Sequence, residues 1–444
     1  MKEKSLIRNN LGVRLGIITL LIVGLLIPSV MVSDLIYDRQ AYRDQAIQEV
    51  TGKWGQAQTI AGPVLSVPYE VTLVGPDNKS YTQTQYLHFL PEELKINGEA
   101  LPEVRPLGIY EVVLYEADLE ISGYFLQPDA AGFNIPPGAI RWKDAFLAIG
   151  ISDMTGIRDL VEIHWGDEIL EYNPGIESRD VLYTGVSAPV DLSTSRDRYP
   201  FSGSLHLNGS DNLMFTPVGK ENTVHLKSSW PSPGFAVGAS LPDSREVSEQ
   251  GFEATWKVLH LNRNYPQSWS GTRFALGGSE FGVSMILPVD HYQKTMRTSK
   301  YAIMFIVLTF TAFFLIELLN RKLLHPIQYL LVGLALLVFY TLLLSFSEQI
   351  GFGWAYLISA LGIVGLISGY AKAVLGSLRL TGIVFGVLAI LYGYLYVVLQ
   401  LEDLALLMGS LGLFAVLGLI MYLTRKINWY DFANSGISGG TKND

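Results

Sequence analysis

The sequence contains no cysteine, and only 16% of its 444 residues are charged. The lack of cysteine excludes a disulfide framework, a thiolate metal site and a cysteine nucleophile. The net charge of -9 leaves no basic surface of the kind that binds nucleic acid. With 49% hydrophobic residues and a mean hydropathy of +0.28, the chain is too apolar for an ordinary soluble protein and too polar for a purely membrane one. Membrane spans combined with a soluble domain are predicted.

The sequence also lacks the common catalytic motifs. It has no H-E-x-x-H, no G-x-S-x-G, no P-loop and no dinucleotide fingerprint. The seven histidines are scattered singly, although His206, His225 and His260 fall in strand-like runs that a sheet can bring together. Isolated histidines in a sheet are mostly surface or hydrogen-bonded residues, so we predict no metal, no cofactor and no enzymatic activity.

Long apolar runs are present, and six of them reach the length of a membrane span. The first covers residues 11–33 and includes Arg14 near its start and Pro28 near its end. It ends without a small-residue cleavage site, so it is predicted to be an uncleaved signal anchor whose outer end bends at Pro28. The other runs form a predicted five-helix bundle, residues 301–423, at about 301–320, 327–346, 354–371, 380–399 and 404–423.

The distribution of Lys and Arg predicts the topology. Loops 321–326 and 372–379 carry Lys or Arg, as do the basic N-terminus, residues 1–10, and the tail, residues 424–444. The loops around Glu348 and around residues 402–403 carry none. Both termini are therefore predicted to be cytoplasmic, with the whole block 34–300 on the outer side.

That outer block starts as a helix and continues as strands. Apolar residues recur at helical spacing up to Trp54, and Gly52 or Gly55 is predicted to end this helix. Afterwards the pattern alternates with period two, with PDN, INGE, NPG and NGS as turn signals. A β-rich domain is predicted, built as a sandwich or as two stacked sheets, with mixed strand and helix at 143–160.

One candidate site in this domain is aromatic. The loop SWPSPGF holds Trp230, Pro231 and Phe235, a combination that can form a glycan or peptide groove. The alternative, which we favour, is that these residues cap the β-core or rest on the membrane surface, because no polar constellation accompanies them. Arg105 and Arg263 are candidate charged partners, or they pair with a carboxylate of the domain.

The other candidate site lies in the bundle. Glu317 stands inside an apolar span, where a carboxylate is by default a functional hypothesis. It lies near the end of that span, four residues before Arg321, and His325 introduces the next span. We therefore predict first a local Glu317–Arg321 pair that marks the helix end, and second a working group. Gly365 and Gly369 form a G-x-x-x-G, which is predicted to pack helices closely.

Several segments of this sequence also occur, in the same order, in a known protein family. They are WGQAQTIAGPVLSVPY (54–69), RPLGIYEVVLYEADLEISGYF (105–125), SSWPSPGFAVGASLPDSREVSEQGFEATWKV (228–258), FGVSMILPVDHYQKTMRTSKYAIMFIVLTFTAFFLIE (281–317) and HPIQYLLVGLALLVFYTLLLSFSEQIGFGWAYL (325–357). With these segments the chain resembles the CreD family of bacterial inner-membrane proteins over nearly its whole length. The resemblance implies an inner-membrane location, a periplasmic outer domain and a role in envelope integrity, with no reaction or cofactor.

Together these features predict a non-enzymatic membrane protein that supports envelope integrity and stress tolerance. Besides the lipid bilayer, its expected partners are envelope protein, lipid or cell-wall material, bound by the periplasmic domain. The alternative is a transporter or permease component for a lipid or cell-wall precursor. The scarcity of charges near the middle of the spans weakens that alternative.

Overall fold

The computed structural model describes residues 11–74, 78, 80–285, 287, 291–320, 323–401 and 404–425. These residues divide into two compact units. One unit is the segment 44–288, and the other combines the chain up to residue 43 with the chain from residue 289 onward. Arg321 and Lys322, which define one of the predicted basic loops, lie outside the described residues, as do residues 1–10, 402–403 and 426–444.

Six described helices are long and apolar enough to cross a membrane, which confirms the predicted number and order of spans. A shorter helix, which the sequence analysis did not predict, precedes the second span. The helices are α1 Leu11–Trp54, α2 His291–Lys300, α3 Ala302–Asn320, α4 Pro326–Ile350, α5 Phe352–Leu375, α6 Leu378–Gln400 and α7 Ala405–Thr424.

Helix α1 runs for 44 residues without interruption and includes Pro28. It ends at Trp54 because Gly55 adopts φ of +148°, a conformation that is not helical and that favours glycine. The predicted continuation of the first span as a helix, and its end at a glycine, are confirmed. Its first 33 residues belong to the unit of membrane helices and its last 11 belong to the β-rich unit.

The β-rich unit contains sixteen described strands. They are β1 Gln58–Val74, β2 Ser80–Phe89, β3 Glu93–Leu107, β4 Tyr110–Leu126, β5 Ala145–Ile151, β6 Glu162–Trp165, β7 Glu168–Glu171, β8 Asn173–Pro174, β9 Gly185–Val190, β10 Arg198–Ser210, β11 Asn212–Thr216, β12 Glu221–Ser228, β13 Ser244–Ser248, β14 Gly251–Leu259, β15 Ser268–Ser270 and β16 Phe281–Ser284.

These strands form two eight-stranded sheets. The first has the order β15-β2-β1-β5-β9-β8, with β11 joined parallel to β1 and β16 joined to β11. The second has the order β13-β14-β12-β3-β4-β10-β6-β7. Its centre is the long antiparallel pair β3–β4, and β12 joins β3 in parallel. The prediction of a sandwich or of stacked sheets is thus confirmed as a mainly antiparallel, two-sheet domain.

One continuous hydrophobic core includes residues from both sheets. Strand β5 is buried at all its positions, whereas β12 and β14 alternate between buried and more exposed positions. In the predicted alternating segment, Leu119, Ile121 and Phe125 are each 1% exposed. The first sheet therefore contributes strands buried on both faces, and the second sheet has one face toward the core and one toward solvent.

Of two local predictions for this domain, the turn at INGE is wrong, and the mixture of strand and helix at 143–160 is confirmed with 3₁₀ helices. The signal INGE does not mark a turn, because residues 96–99 lie inside β3. Gly98 is needed there because a β-carbon would come within 2.6 Å of the Leu119 side chain on β4. The segment 143–160 contains strand β5 and short 3₁₀ turns but no α-helix.

The bundle has its own core, in which aromatic rings are prominent. The rings of Phe339 and Tyr392 lie 4.8 Å apart, and the Tyr356 hydroxyl donates to the Tyr392 carbonyl at 2.7 Å. The predicted close packing at Gly365 and Gly369 is wrong, because nothing would lie within 4 Å of a β-carbon at either position. Gly412 does allow a close approach, to the ring of Tyr394.

Candidate functional site

Glu317 is the centre of a buried polar cluster in the membrane unit. It lies one turn before the end of α3 and is 5% exposed. Its carboxylate forms an ion pair with the Arg14 guanidinium of α1. The Tyr329 hydroxyl donates to Oε2 of this carboxylate at 2.9 Å. The Leu324 amide donates at 3.3 Å to Oε1, the oxygen that pairs with Arg14. We refer to Arg14, Glu317 and Tyr329 as the Arg14–Glu317–Tyr329 cluster.

Local sequence places Tyr329 in this cluster. Pro326 begins α4, where a proline is tolerated because the first amides of a helix have no intrahelical partner. His325 caps this helix: its Nδ1 accepts from the Ile327 amide at 3.3 Å, and its own amide donates to Gln328 at 2.9 Å. With the helix start fixed, Tyr329 falls in the first turn, facing α3.

Apolar residues close the cluster off. The Tyr329 ring packs edge-on against Phe310 at 5.3 Å and Phe313 at 6.3 Å. A cavity of about 40 Å³ adjoins the charges. A cavity of this size suits a few water molecules, whereas sites for small organic molecules measure some 300–1,000 Å³. The pair is therefore largely desolvated and neutral as a whole.

Further polar contacts join α1 to α2. Ser33 and Ser299 place their hydroxyl oxygens 3.5 Å apart, and the Arg43 guanidinium lies 5.3 Å from the centre of the Tyr292 ring. At 1.5 Å per residue, Ser33 lies about 29 Å along α1 from Arg14. Because only 6% of the apolar window of α1 is buried, these polar contacts carry much of its attachment to α2 and α3.

Comparison with known proteins agrees with this architecture. The family model described as "Inner membrane protein CreD" matches residues 10–430. "Inner membrane protein CreD" of Escherichia coli (strain K12) is 34% identical over 423 residues, which cover 92% of this chain and 91% of that protein. The chain belongs to the CreD family. It is accordingly an inner-membrane protein in contact with the lipid bilayer.

Within this CreD family member, Glu317 has two partners that the sequence did not predict. Arg321 lies outside the described residues, so the local pair stays a prediction. The structure instead supplies Arg14 from α1 and Tyr329 from α4. From the sequence, Arg14 was recognised only as a charged residue near the start of the first span. The available signal was that Arg14 and Glu317 have opposite charge and lie near the same predicted side of the membrane.

The aromatic loop is placed in the core. Trp230 is 8% exposed and Phe235 is 6% exposed, whereas Pro231 between them is exposed. The Phe235 ring packs edge-on against Phe252 at 5.4 Å and Trp256 at 5.9 Å. These two aromatic rings are thus not available as the walls of a groove. They cap the core, which is the alternative favoured from the sequence.

The two candidate arginines have separate roles. Arg263 is 8% exposed, stacks on Tyr265 at 4.2 Å and donates to the Tyr265 carbonyl and the Gln267 side chain. Burial lowers the pKa of its guanidinium. The proposed pairing with a carboxylate is therefore wrong for Arg263. It holds for Arg105, which donates to Glu103 at 3.1 Å and also stacks over Trp54 at 4.3 Å.

Three hydrogen-bonded side chains of the β-rich unit, Ser66, His88 and Asp180, were not predicted from the sequence. The Ser66 hydroxyl lies 2.9 Å from His88 Nδ1, and His88 Nε2 lies 3.4 Å from Asp180. Ser66 and His88 are directly opposite each other on β1 and β2, and they are 3% and 1% exposed. A substrate cannot reach the hydroxyl in this arrangement. The contact between His88 and Asp180 instead links the first sheet to the segment before β9.

The other histidines do not converge. His206 pairs with Asp118 at 2.6 Å, and His225 lies 3.4 Å from Glu253. His206 is on β10 and His225 is on β12, with β3 and β4 between those strands in the sheet. In the described ranges, no group of three or more His, Asp or Glu side chains is arranged to hold a metal ion.

Proposed function

We propose that this CreD family member is a non-enzymatic inner-membrane protein that supports envelope integrity and stress tolerance. Its β-rich unit, placed in the periplasm, acts on envelope protein, lipid or cell-wall components. The membrane helices hold the unit at the membrane, with both termini cytoplasmic. This proposal extends the family assignment to an activity of one particular unit.

The observation that supports it is that the Arg14–Glu317–Tyr329 cluster is internally paired and has only a small cavity beside it. The two charges neutralise each other, and the adjoining cavity of about 40 Å³ is roughly a tenth of a small-molecule site. A group that bound a transported substrate would need access and room. The cluster is better suited to fastening α1, the helix that continues into the β-rich unit.

The rival function is a transporter or permease component for a lipid or cell-wall precursor. One observation favours it: Glu317 is an ionisable group 5% exposed inside a span, beside a cavity. In that case Glu317→Gln abolishes function while the protein still inserts and folds. Under our proposal the same variant acts only through stability, so function returns when the variant is expressed at a permissive temperature.

The test is complementation of a deletion strain that has an envelope-sensitivity defect. We would compare the full chain, its Glu317→Gln variant and a chain truncated after residue 287, which keeps α1 and all sixteen strands. Rescue by the truncated chain supports a function in the β-rich unit. Loss of rescue by a truncated chain that is exported and protease-resistant contradicts the proposal and assigns the function to the bundle.

A further inference from the structure

Helix α2 is an amphipathic helix next to the membrane that the proposed function does not use. Its inner side carries Tyr292, Thr295, Met296, Thr298 and Ser299, all of them buried. Gln293 and Lys300 are exposed, and Lys294 and Arg297 are half-buried. Since residues three apart lie on neighbouring positions of a helix surface, Lys294, Arg297 and Lys300 form one cationic stripe beside the buried side, with Lys294 at the edge nearest the bundle.

The depth of this stripe relative to the bilayer follows from helix geometry. Only Tyr301 separates α2 from the membrane-spanning α3. Helix α3 alone, with 19 residues, spans about 28 Å at 1.5 Å per residue, close to the hydrocarbon thickness of a bilayer, and α2 adjoins the end of α3 opposite to Glu317. If Glu317 lies at one edge of the hydrocarbon, as its place near the end of α3 requires, the stripe lies at the opposite headgroup layer.

Contacts of α2 agree with this depth. The Tyr292 hydroxyl donates at 2.7 Å to Glu348, which lies two residues before the end of α4. Lys294 lies 5.9 Å from the ring centre of Phe352, the first residue of α5. Helix α2 thus packs where α4 ends and α5 begins, at the end of the bundle away from the Arg14–Glu317–Tyr329 cluster.

The cations of the stripe, Lys294, Arg297 and Lys300, have no carboxylate partner in the part of the chain that the structure describes. Glu348, the carboxylate at this end of the bundle, accepts from Tyr292. Three cations at headgroup level, held by a helix whose other side is packed, are complementary to phosphate groups.

We propose that the cationic stripe of α2 binds the phosphate of anionic phospholipid headgroups in the outer leaflet. Arg297 offers two planar donors to a phosphate, while Lys294 and Lys300 add charge on either side. The stripe thereby holds the first residues of α3 at a fixed depth. This inference does not depend on what the β-rich unit binds, but its assignment to the outer leaflet rests on the topology of the proposed function.

The test uses the detergent-solubilised full chain. Phosphatidylglycerol, phosphatidylcholine and glycerol 1-phosphate are titrated, and bound lipid is counted by native mass spectrometry. We expect phosphatidylglycerol to bind more tightly than phosphatidylcholine. The Arg297→Gln/Lys300→Gln variant should lose about 25-fold in that affinity, or about fivefold for each cation. Lys227→Gln/Lys257→Gln, which removes two exposed cations of the β-rich unit, should leave it unchanged.

Three results would overturn the proposal. They are equal affinity for both lipids, an unchanged affinity in the α2 variant, and competition by glycerol 1-phosphate as strong as that by phosphatidylglycerol. If the double variant does not fold, Lys300→Gln alone, at an exposed position, should still lose about fivefold. The variant Arg297→Lys keeps the charge and loses only the paired donors of the guanidinium, so it should lose less affinity than Arg297→Gln; an equal loss in the two variants would contradict a site that depends on charge.

Discussion

At the scale of single residues, the ion pair between Arg14 and Glu317 has the largest expected effect. Each charge is largely removed from water, so either one left alone is costly, whereas removal of both is much less so. Glu317→Gln or Arg14→Met should lower the free energy of unfolding by about 3–5 kcal/mol. The double variant Arg14→Met/Glu317→Leu should lose less than the sum of the two single changes.

These free energies can be measured by unfolding the detergent-solubilised protein with increasing SDS. Lys372→Gln is the matched control, because Lys372 is an exposed cation near the end of α5 and its loss should cost less than about 0.5 kcal/mol. Strictly additive effects of the two single changes would show that the two side chains do not interact.

His88 predicts a dependence of stability on pH. Burial lowers its pKa to about 4, against about 6.5 for an unperturbed histidine. Between these values the unfolded chain binds the proton and the folded chain does not, so stability decreases as the pH falls from about 6.5 to about 4. Above this window, His88 contributes no pH dependence. The full loss is on the order of 3 kcal/mol.

The measurement is the difference between the wild type and His88→Gln in unfolding midpoint, followed by near-ultraviolet circular dichroism from pH 8 to pH 4. Trp269 lies 5.6 Å from His88 and reports on this region. The difference should be constant above about pH 6.5 and should shrink below it. A difference that does not vary with pH would rule out His88 as the titrating group.

At the scale of elements, the end of α1 depends on close backbone contacts. The Trp54 indole donates to the Tyr115 carbonyl at 3.4 Å, and the next residue, Gly55, lies against β10. A β-carbon at position 55 would come within 2.5 Å of the Asn208 carbonyl oxygen, at φ of +148°. Gly55→Ala should therefore destabilise the β-rich unit by more than about 1 kcal/mol.

Gly132→Ala is the control for this change, since a β-carbon there would meet nothing within 4 Å. Both variants can be compared by thermal unfolding and by the rate of limited proteolysis. If the two alanine variants were equally stable, the close approach of Gly55 to Asn208 would have no energetic significance.

The sequence was most informative about elements and least informative about partners. Long apolar runs and period-two alternation depend on neighbours in the chain, so the six spans and the main strands were predictable. The pairing of Arg14 with Glu317, 303 residues apart, depends on which helices pack together. Helix α2 was missed because its apolar positions are few and two of its most buried residues, Thr295 and Thr298, are polar.

At the scale of the whole molecule, both proposals depend on the side of the membrane on which the β-rich unit and α2 lie. The short loops between spans predict cytoplasmic termini, and the cations of α2 belong to the opposite side. These cations lie within ten residues of the start of α3, so they count against that topology, and the prediction rests on the other short loops and on the tail. A chain without cysteine makes the topology directly testable, since any introduced cysteine is unique.

We predict that Ser244→Cys, on the exposed strand β13, reacts with a membrane-impermeant maleimide in intact spheroplasts. Ser377→Cys, in the connection between α5 and α6, should react only after the membrane is opened. Labelling can be quantified by gel shift after purification, with the cysteine-free wild type as background. The reverse pattern would place the β-rich unit in the cytoplasm, where it could not reach periplasmic envelope components. It would also move the cationic stripe of α2 to the cytoplasmic leaflet, so this one experiment decides the side on which both proposals must operate.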